Sequence, residues 1–234
     1  MNLHRHATAL AVVLAALSAP GCKGKCNNPG PTDGCRAPDG GACYDIELVG
    51  LWSEDRQGVA VPGPAHFTTL YGAVHDRRFR IFQQGGIASR GMELLAEDGD
   101  IGVVQNDVAD QLESGVAADE VCGDESVDAT GSTTTSIVTD RDHTRLSFAS
   151  MVAPSPDWFV GVDALELWDD DAGGWREVIE LELFVYDAGT ERDDSAFSLD
   201  NDEEKPPKTI TVAHDRVFPG GGPAIAQIRI QRIR

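Results

Sequence analysis

Apolar residues along this chain recur with two different periods. Tyr44 to Ser53, YDIELVGLWS, alternates, with Ile46, Leu48 and Trp52 on one side, which is the period of a half-buried strand. The plainest case is Glu177 to Tyr186, EVIELELFVY, where Ile179, Leu181, Leu183 and Val185 share one face and Glu180 and Glu182 the other. One dry face and one wet face mark an antiparallel sheet. Further strands are predicted at Arg78–Gln83, Thr133–Val138, Arg145–Ala153, Trp158–Val162, Thr209–Val212 and Ile225–Ile233. Between Gly86 and Ser114 the period lengthens: Met92, Leu95 and Ala96 recur at helical spacing, as do Ile101, Val104, Val108 and Leu112. Asp100 is the candidate cap of the second helix. About eight short strands separated by Gly/Pro/Asp loops, with one helical insert around residues 86–114, predict an all-β fold, an antiparallel β-sandwich.

The first residues do not fit that fold. MNLHRHATALAVVLAALSAPGC has a weakly basic start, an apolar run from Ala7 to Leu17 and then small residues. Residues 1–21 therefore read as a secretory leader, too short in its apolar part to span a bilayer. LSAPGC resembles a bacterial lipobox, which would place lipid on Cys22 and anchor the chain to a membrane. Pro20 is unusual at that point, and ordinary cleavage leaving Cys22 as a thiol is the other reading. Residues 22–42 are rich in Gly, Pro, Asn and Asp and cannot bury a core, so they read as a tether. The folded domain is then 43–234, secreted or held at the cell envelope.

Cysteine arithmetic fits an oxidising compartment. With Cys22 lipidated, Cys26, Cys35, Cys43 and Cys122 remain, an even number suited to disulfides. Three of them lie between Cys26 and Cys43, so one short loop should close locally and one bridge should reach Cys122. Cys43, at the start of the first strand, is its expected partner. Zinc is disfavoured, because no C-x2-C pair occurs and the histidines do not repeat at ligand spacing.

Charge narrows the partners. The 234-residue chain carries 19 basic and 39 acidic residues, a formal net charge of −20. Nucleic acid, which needs a basic face, is therefore not an expected partner. Anionic lipid is disfavoured unless a cation bridges. An acidic surface suits divalent cations.

Candidate chemistry sits at two loop ends. Asp157 lies just before the strand Trp158–Val162, and Asp187 just after the strand Glu177–Tyr186. If those strands run antiparallel, both carboxylates meet at one rim, with Glu191 brought back across a Gly-containing turn. Three carboxylates would make a hard, oxygen-only site that favours calcium over zinc or copper. The competing reading is that each aspartate bonds nearby backbone N–H groups in its own turn. The run Asp169–Asp171 and the cluster Asp193, Asp194, Asp200 and Asp202–Glu204 read as solvated loops.

In chain order, YDIELVGLWS, HFTTLYGAVHD, SFASMVAPSPDWFVGVDALEL, GGW and YDAGT resemble the spondin domain family, over roughly Cys43 to Ile233. The resemblance implies a β-sandwich similar to calcium-dependent lipid-binding domains, with a bound calcium. The family's metal-binding aspartates match Asp157 and Asp187, and the third falls on Glu191. There the chain departs from the family: it reads ERDDSAF, one residue longer before Phe197, so Asp193 is a possible substitute for Glu191. The implied role is binding or adhesion at the cell envelope or outside the cell, to a protein or glycan ligand at the cell surface. A purely structural envelope lipoprotein, whose metal only stabilises the fold, is the alternative; an extracellular hydrolase is the third.

No catalytic set emerges beside it. There is no G-x-S-x-G elbow for a serine nucleophile. The cysteines count out as bridges. His66 and His75 flank FTTLYGAV and could do acid–base work, but both lie in a stretch that resembles the family's framework and read as structural. Trp158 and Phe159 are the aromatics near Asp157 and read as packing. FPGGGPA, from Phe218, has neither a lysine nor a following helix to make a phosphate loop.

Overall fold

Two sheets form from the short-period segments. In the computed structural model of the chain, which describes residues 35–192, 197–199, 202–213, 218 and 222–234, β1 (Ala42–Gly50) lies antiparallel between β6 (Ser132–Thr139) and β14 (Ala226–Arg232). β11 (Val178–Leu183) pairs with the far side of β14 and completes the first sheet. The second is built on β7 (Arg145–Ala153), which pairs with β8 (Trp158–Glu166) on one side. Its other side is shared by β2 (His66–Thr68) and β3 (Tyr71–His75). β4 (Ala117–Cys122) joins β3, and β5 (Ser126–Asp128) joins β2. β12 (Tyr186–Asp187) joins β8, and β13 (Thr211–Val212) follows it outward. A small hairpin, β9 (Trp168–Asp169) and β10 (Gly174–Trp175), stands apart, and a single helical turn, α1 (Glu54–Gln57), follows β1. The expected leader, Cys22, Cys26 and Asp193 lie outside the described residues.

The sandwich core lies between the sheets. Tyr44, Ile46 and Leu48 of β1 and Ile228 and Ile230 of β14 share it with Phe148 and Val152 of β7 and Trp158 and Val160 of β8. The opposite face of the second sheet is also covered. Ala149 and Phe159 there meet Met92, Leu95 and Ala96 of α2 (Arg90–Asp98) and Val104 and Val108 of α3 (Gly102–Glu113). Burial on both faces explains why SFASMVA and WFVGV are nearly continuous apolar runs while β11 alternates. Gly72 marks how tightly this sheet is packed: a Cβ there would run into the Ser147 carbonyl oxygen and the Phe148 Cα.

The helical insert falls where the period lengthens. Ser89 caps α2, its Oγ accepting from the Met92 N–H at 3.2 Å. Asp100 sits one residue before the cap position of α3, and its carboxylate accepts from the Gly102 N–H at 2.8 Å. No helix among the described residues is long and apolar enough to cross a membrane.

Three expectations need correction. Arg78–Gln83 is not a strand. Both sides of β3 are taken, by β4 and β7, so the following segment has no sheet edge to join and instead tucks Ile81 and Phe82 into the helix-side core. Glu177–Tyr186 is not one strand either: it breaks after Leu183, so that β11 belongs to one sheet and β12 to the other. The Cys43–Cys122 bridge does not form. Cys43 is bonded to Cys35, with Cα atoms 6.2 Å apart, because a turn closed by the Gly41 N–H on the Pro38 carbonyl folds the chain back. Cys122 lies in the other sheet, in the helix-side cluster. It is also disulfide-bonded, with its partner outside the described residues.

Candidate metal centre

The hairpin between β7 and β8 is the turn Pro154–Asp157. Ser155 holds it, its Oγ accepting from the Trp158 N–H at 3.1 Å. Since Ser155 closes the turn, the carboxylate of Asp157 is left for another task. It is fully buried, and its Oδ2 accepts from the Thr190 N–H at 2.7 Å, the Glu191 N–H at 3.1 Å and the Thr190 hydroxyl at 3.2 Å. The turn-aspartate reading thus fails for Asp157, which clamps a loop more than thirty residues away in sequence.

That loop arrives by strand pairing. β12 lies antiparallel to β8, with Tyr186 opposite Phe159 and Asp187 opposite Trp158. The Ala188 N–H donates to the Asp157 carbonyl at 3.1 Å. Asp187 does behave as a turn aspartate, its Oδ1 accepting from the Gly189 N–H at 2.7 Å. Gly189 has φ +74°, and a Cβ there would meet the Lys208 carbonyl oxygen at 2.6 Å, so only glycine fits this step of the loop. Glu191 follows and forms an antiparallel bridge to Glu203.

A further carboxylate reaches the Thr190 loop from α2. Glu97 hydrogen-bonds Thr190, and its acidity is weakened, first by burial and then by the charges of Glu93 and Asp157 beside it; the Thr190 bond and Arg90 act the other way. Sequence reasoning missed Glu97, because it is one of several acids on a helix and nothing in its spacing points to a loop nearly a hundred residues on. His66 and His75 have different surroundings. His66 opens onto a cavity of about 530 Å³ that Glu97, Asp98 and Glu125 also line, whereas His75 is fully buried. Trp158 and Phe159 are fully buried packing residues; Trp158 meets Phe197 and Phe218 edge-on.

The donor set is all carboxylate oxygen, and Asp157 Oδ1 and Glu191 Oε2 are both buried. That chemistry fits a hard divalent cation and excludes a preference for soft metals. Among the described residues, no three His, Cys, Asp or Glu side chains are grouped closely enough to hold a metal ion by themselves. Asp157, Asp187 and Glu191 share one loop and one hairpin, held together by backbone donors.

Comparison with known proteins decides the family. The Spondin_N family model, the spondin N-terminal domain, matches residues 42–218. The chain belongs to the spondin N-terminal domain family. It is 33% identical over 180 residues to Spondin-2 of Homo sapiens, covering 75% of this chain and 51% of that protein. Against Spondin-1 of Gallus gallus it is 27% identical over 194 residues, covering 81% of this chain and 23% of the relative. The spondin match thus spans about half the length of the Spondin-2 relatives and about a quarter of Spondin-1. The family match takes in the first strand, the whole second sheet and the clamp between Asp157 and the 187–191 loop, and ends before β14.

Proposed function

We propose that this spondin domain is an extracellular binding module, secreted or anchored through Cys22, that acts in adhesion to a protein or glycan ligand and takes one calcium ion at the Asp157 rim. The observation that carries the reading is the fully buried Asp157 carboxylate, locked onto the loop that presents Asp187 and Glu191. A buried carboxylate with Glu97 pressing on it is costly to keep charged, and a divalent cation offsets that cost. Asp157, Asp187 and Glu191 would hold the ion, with Asp193 able to take the place of Glu191; backbone carbonyls and water would complete the six to eight oxygens calcium takes. The ion would supply positive charge at the rim. The chain's own work is to fix the loop: Asp157 orients Thr190 and Glu191, and Gly189 lets the turn close.

A second reading is favoured by the same clamp. Three donors on Asp157 Oδ2 hold the loop without a ligand, so the ion would only stiffen the fold. The two roles separate in one experiment. Calcium is titrated calorimetrically into the wild-type chain and the Asp157→Asn variant, and binding of cell-surface glycan arrays is measured with calcium and with chelator. Saturable one-to-one calcium binding, lost in the variant, supports the site. Calcium-dependent array binding supports adhesion over a purely structural ion. Absence of calcium binding in the wild type would overturn the metal assignment. An enzymatic reading would require turnover lost at the same site.

A further inference from the structure

A buried polar relay sits at the other end of the second sheet. Between β7 and β8 the pairing jumps from Leu146↔Leu165 to Phe148↔Val162, so Ser147 faces two residues, Asp163 and Ala164. This is a β-bulge. Ala164 has φ +50°, a left-handed backbone unusual for a residue with a Cβ. Its N–H has left the ladder and donates to the Ser147 Oγ at 2.8 Å.

The ring of His75 fixes what Ser147 can do. His75 and Ser147 are both fully buried. The Nδ1 of His75 lies 2.6 Å from the Asp76 carbonyl oxygen, which can only accept, so Nδ1 carries the hydrogen. Nε2 is then bare and accepts the Ser147 O–H at 2.7 Å. Polarity therefore runs one way, from the Ala164 N–H through the Ser147 hydroxyl to His75, and from His75 to the Asp76 carbonyl.

We propose that His75, Ser147 and the Ala164 amide form an acid-sensitive latch, which pins the β7–β8 bulge while His75 is neutral and lets that end of the sheet open when His75 takes a proton. A proton on Nε2 turns the acceptor into a donor. The Ser147 hydroxyl hydrogen then loses its acceptor, and a positive charge is buried among groups arranged for a neutral ring. The charged groups around the ring are mixed. Arg145, its register partner on β7, and Arg80 oppose the proton; Asp76 favours it. Asp163 on β8 also lies close, but Arg80 holds its carboxylate at 3.1 Å. Phe79 meets the ring edge-on, and Ala117 is opposite on β4. Burial dominates this balance and disfavours the charged ring. Opening would reshape the cleft of about 480 Å³ next to the latch, which Asp76, Arg78, His143 and Arg145 line.

The test is a pH titration of the labelled full-length chain by NMR, following the histidine rings and the exchange protection of the Ala164 amide. His143, nearby, is an internal control because its affinity for a proton is shifted the other way: burial opposes the proton, but the Gly115 carbonyl and Asp140 outweigh it. The latch requires the Ala164 protection, corrected for intrinsic exchange, to fall about tenfold per pH unit between about 6.5 and the midpoint of His75. His75→Gln should remove that dependence. If the variant does not fold, the wild-type midpoints decide alone. Protection that stays constant, or that follows the higher midpoint of His143, overturns the proposal.

Discussion

Alanine at position 157 would remove the acceptor that holds the 187–191 loop. Two of the three donors it serves are backbone N–H groups, of Thr190 and Glu191. Thr190 is only 6% exposed, so water cannot replace the lost carboxylate there. An unsatisfied buried donor costs about 1–3 kcal/mol, and the Thr190 hydroxyl can turn towards another acceptor. The loss from two backbone donors is therefore about 3–4 kcal/mol. A domain of this size moves in Tm by about 2–4 °C per kcal/mol, which puts the expected fall at about 10 °C. Asp157→Asn keeps one oxygen for these donors and should cost about half as much. The assay is thermal and urea unfolding of wild type and both variants in chelator, repeated in excess calcium. The chelator series reads the clamp alone. The calcium series adds the ligand term, about 2.7 kcal/mol when free calcium is a hundred times Kd, which should be present in wild type and absent in Asp157→Asn. A loss within about 1 kcal/mol of wild type for Asp157→Ala in chelator would refute the clamp. An undiminished calcium increment in Asp157→Asn would remove Asp157 from the ligand set.

Three further outcomes are expected. Gly72→Ala drives a Cβ into the β7 backbone, where neither neighbour is a flexible side-chain end, and should destabilise by about 3 kcal/mol or more, read as a lowered urea midpoint at unchanged slope. Replacing the Cys35–Cys43 bridge, with Cys35→Ser and Cys43→Ala together, frees a loop closed at a separation of 8 residues; the chain-entropy relation puts the loss at about 2.5 kcal/mol, measurable by melting under non-reducing conditions. The pH dependence of stability should carry two histidine contributions of opposite sign. The proton affinity of His75 is lowered by burial, so the unfolded chain binds more protons and stability falls as pH drops from about 6.5 towards the folded value. His143, where burial is outweighed by the Gly115 carbonyl and Asp140, stabilises fully below about 6.5 and loses that contribution as pH rises through its folded value. Melts of His75→Gln and His143→Gln between pH 5 and 8 should flatten the respective limbs.

Much of the sandwich is legible from period alone where one face is wet. β1, β6, β11 and β14 all alternate, and their burial alternates with them. The second sheet is harder to read. Its inner strands are covered by the helices on one side and the first sheet on the other, so YGAVH of β3 shows no alternation at all. β2 and β5 are three residues each and too short to show a period. Arg78–Gln83 misleads for a physical reason. Phe79 and Ile81 alternate with Arg78 and Arg80 like a strand, yet the pattern reports only which side chains find apolar cover, and here helices supply that cover without a ladder. At the candidate site, the pairing of the chain at Asp157 with the chain at Asp187 could be read from two strand ends, whereas Glu97 could not, because it depends on how α2 docks onto the sheet.

The break after Leu183 shows how a site can depend on an event that periodicity hides. Leu183 and Val185 are both buried in the core that the two sheets share. A strand that passes from one sheet to the other around a common core keeps the same alternate residues inward, so EVIELELFVY reads as one strand although it serves two. Leu183 is opposite Ala226 in the first sheet, and three residues later Tyr186 is opposite Phe159 in the second. Had the segment stayed with β14, Asp187 would lie on the far sheet from Trp158, and the 187–191 loop would have no route to Asp157. The crossing is thus what converts two distant acidic loops into one rim. The clamp then extends its reach: the Glu204 N–H donates to the Thr190 carbonyl at 2.8 Å and the Lys208 N–H to the Gly189 carbonyl at 2.7 Å. An ion that tightened the grip of Asp157 on Thr190 would therefore stiffen residues 202–208 as well. Amide exchange at Glu204 and Lys208 should slow with calcium in wild type, and exchange unaffected by calcium there would separate the rim from the segment it is meant to hold.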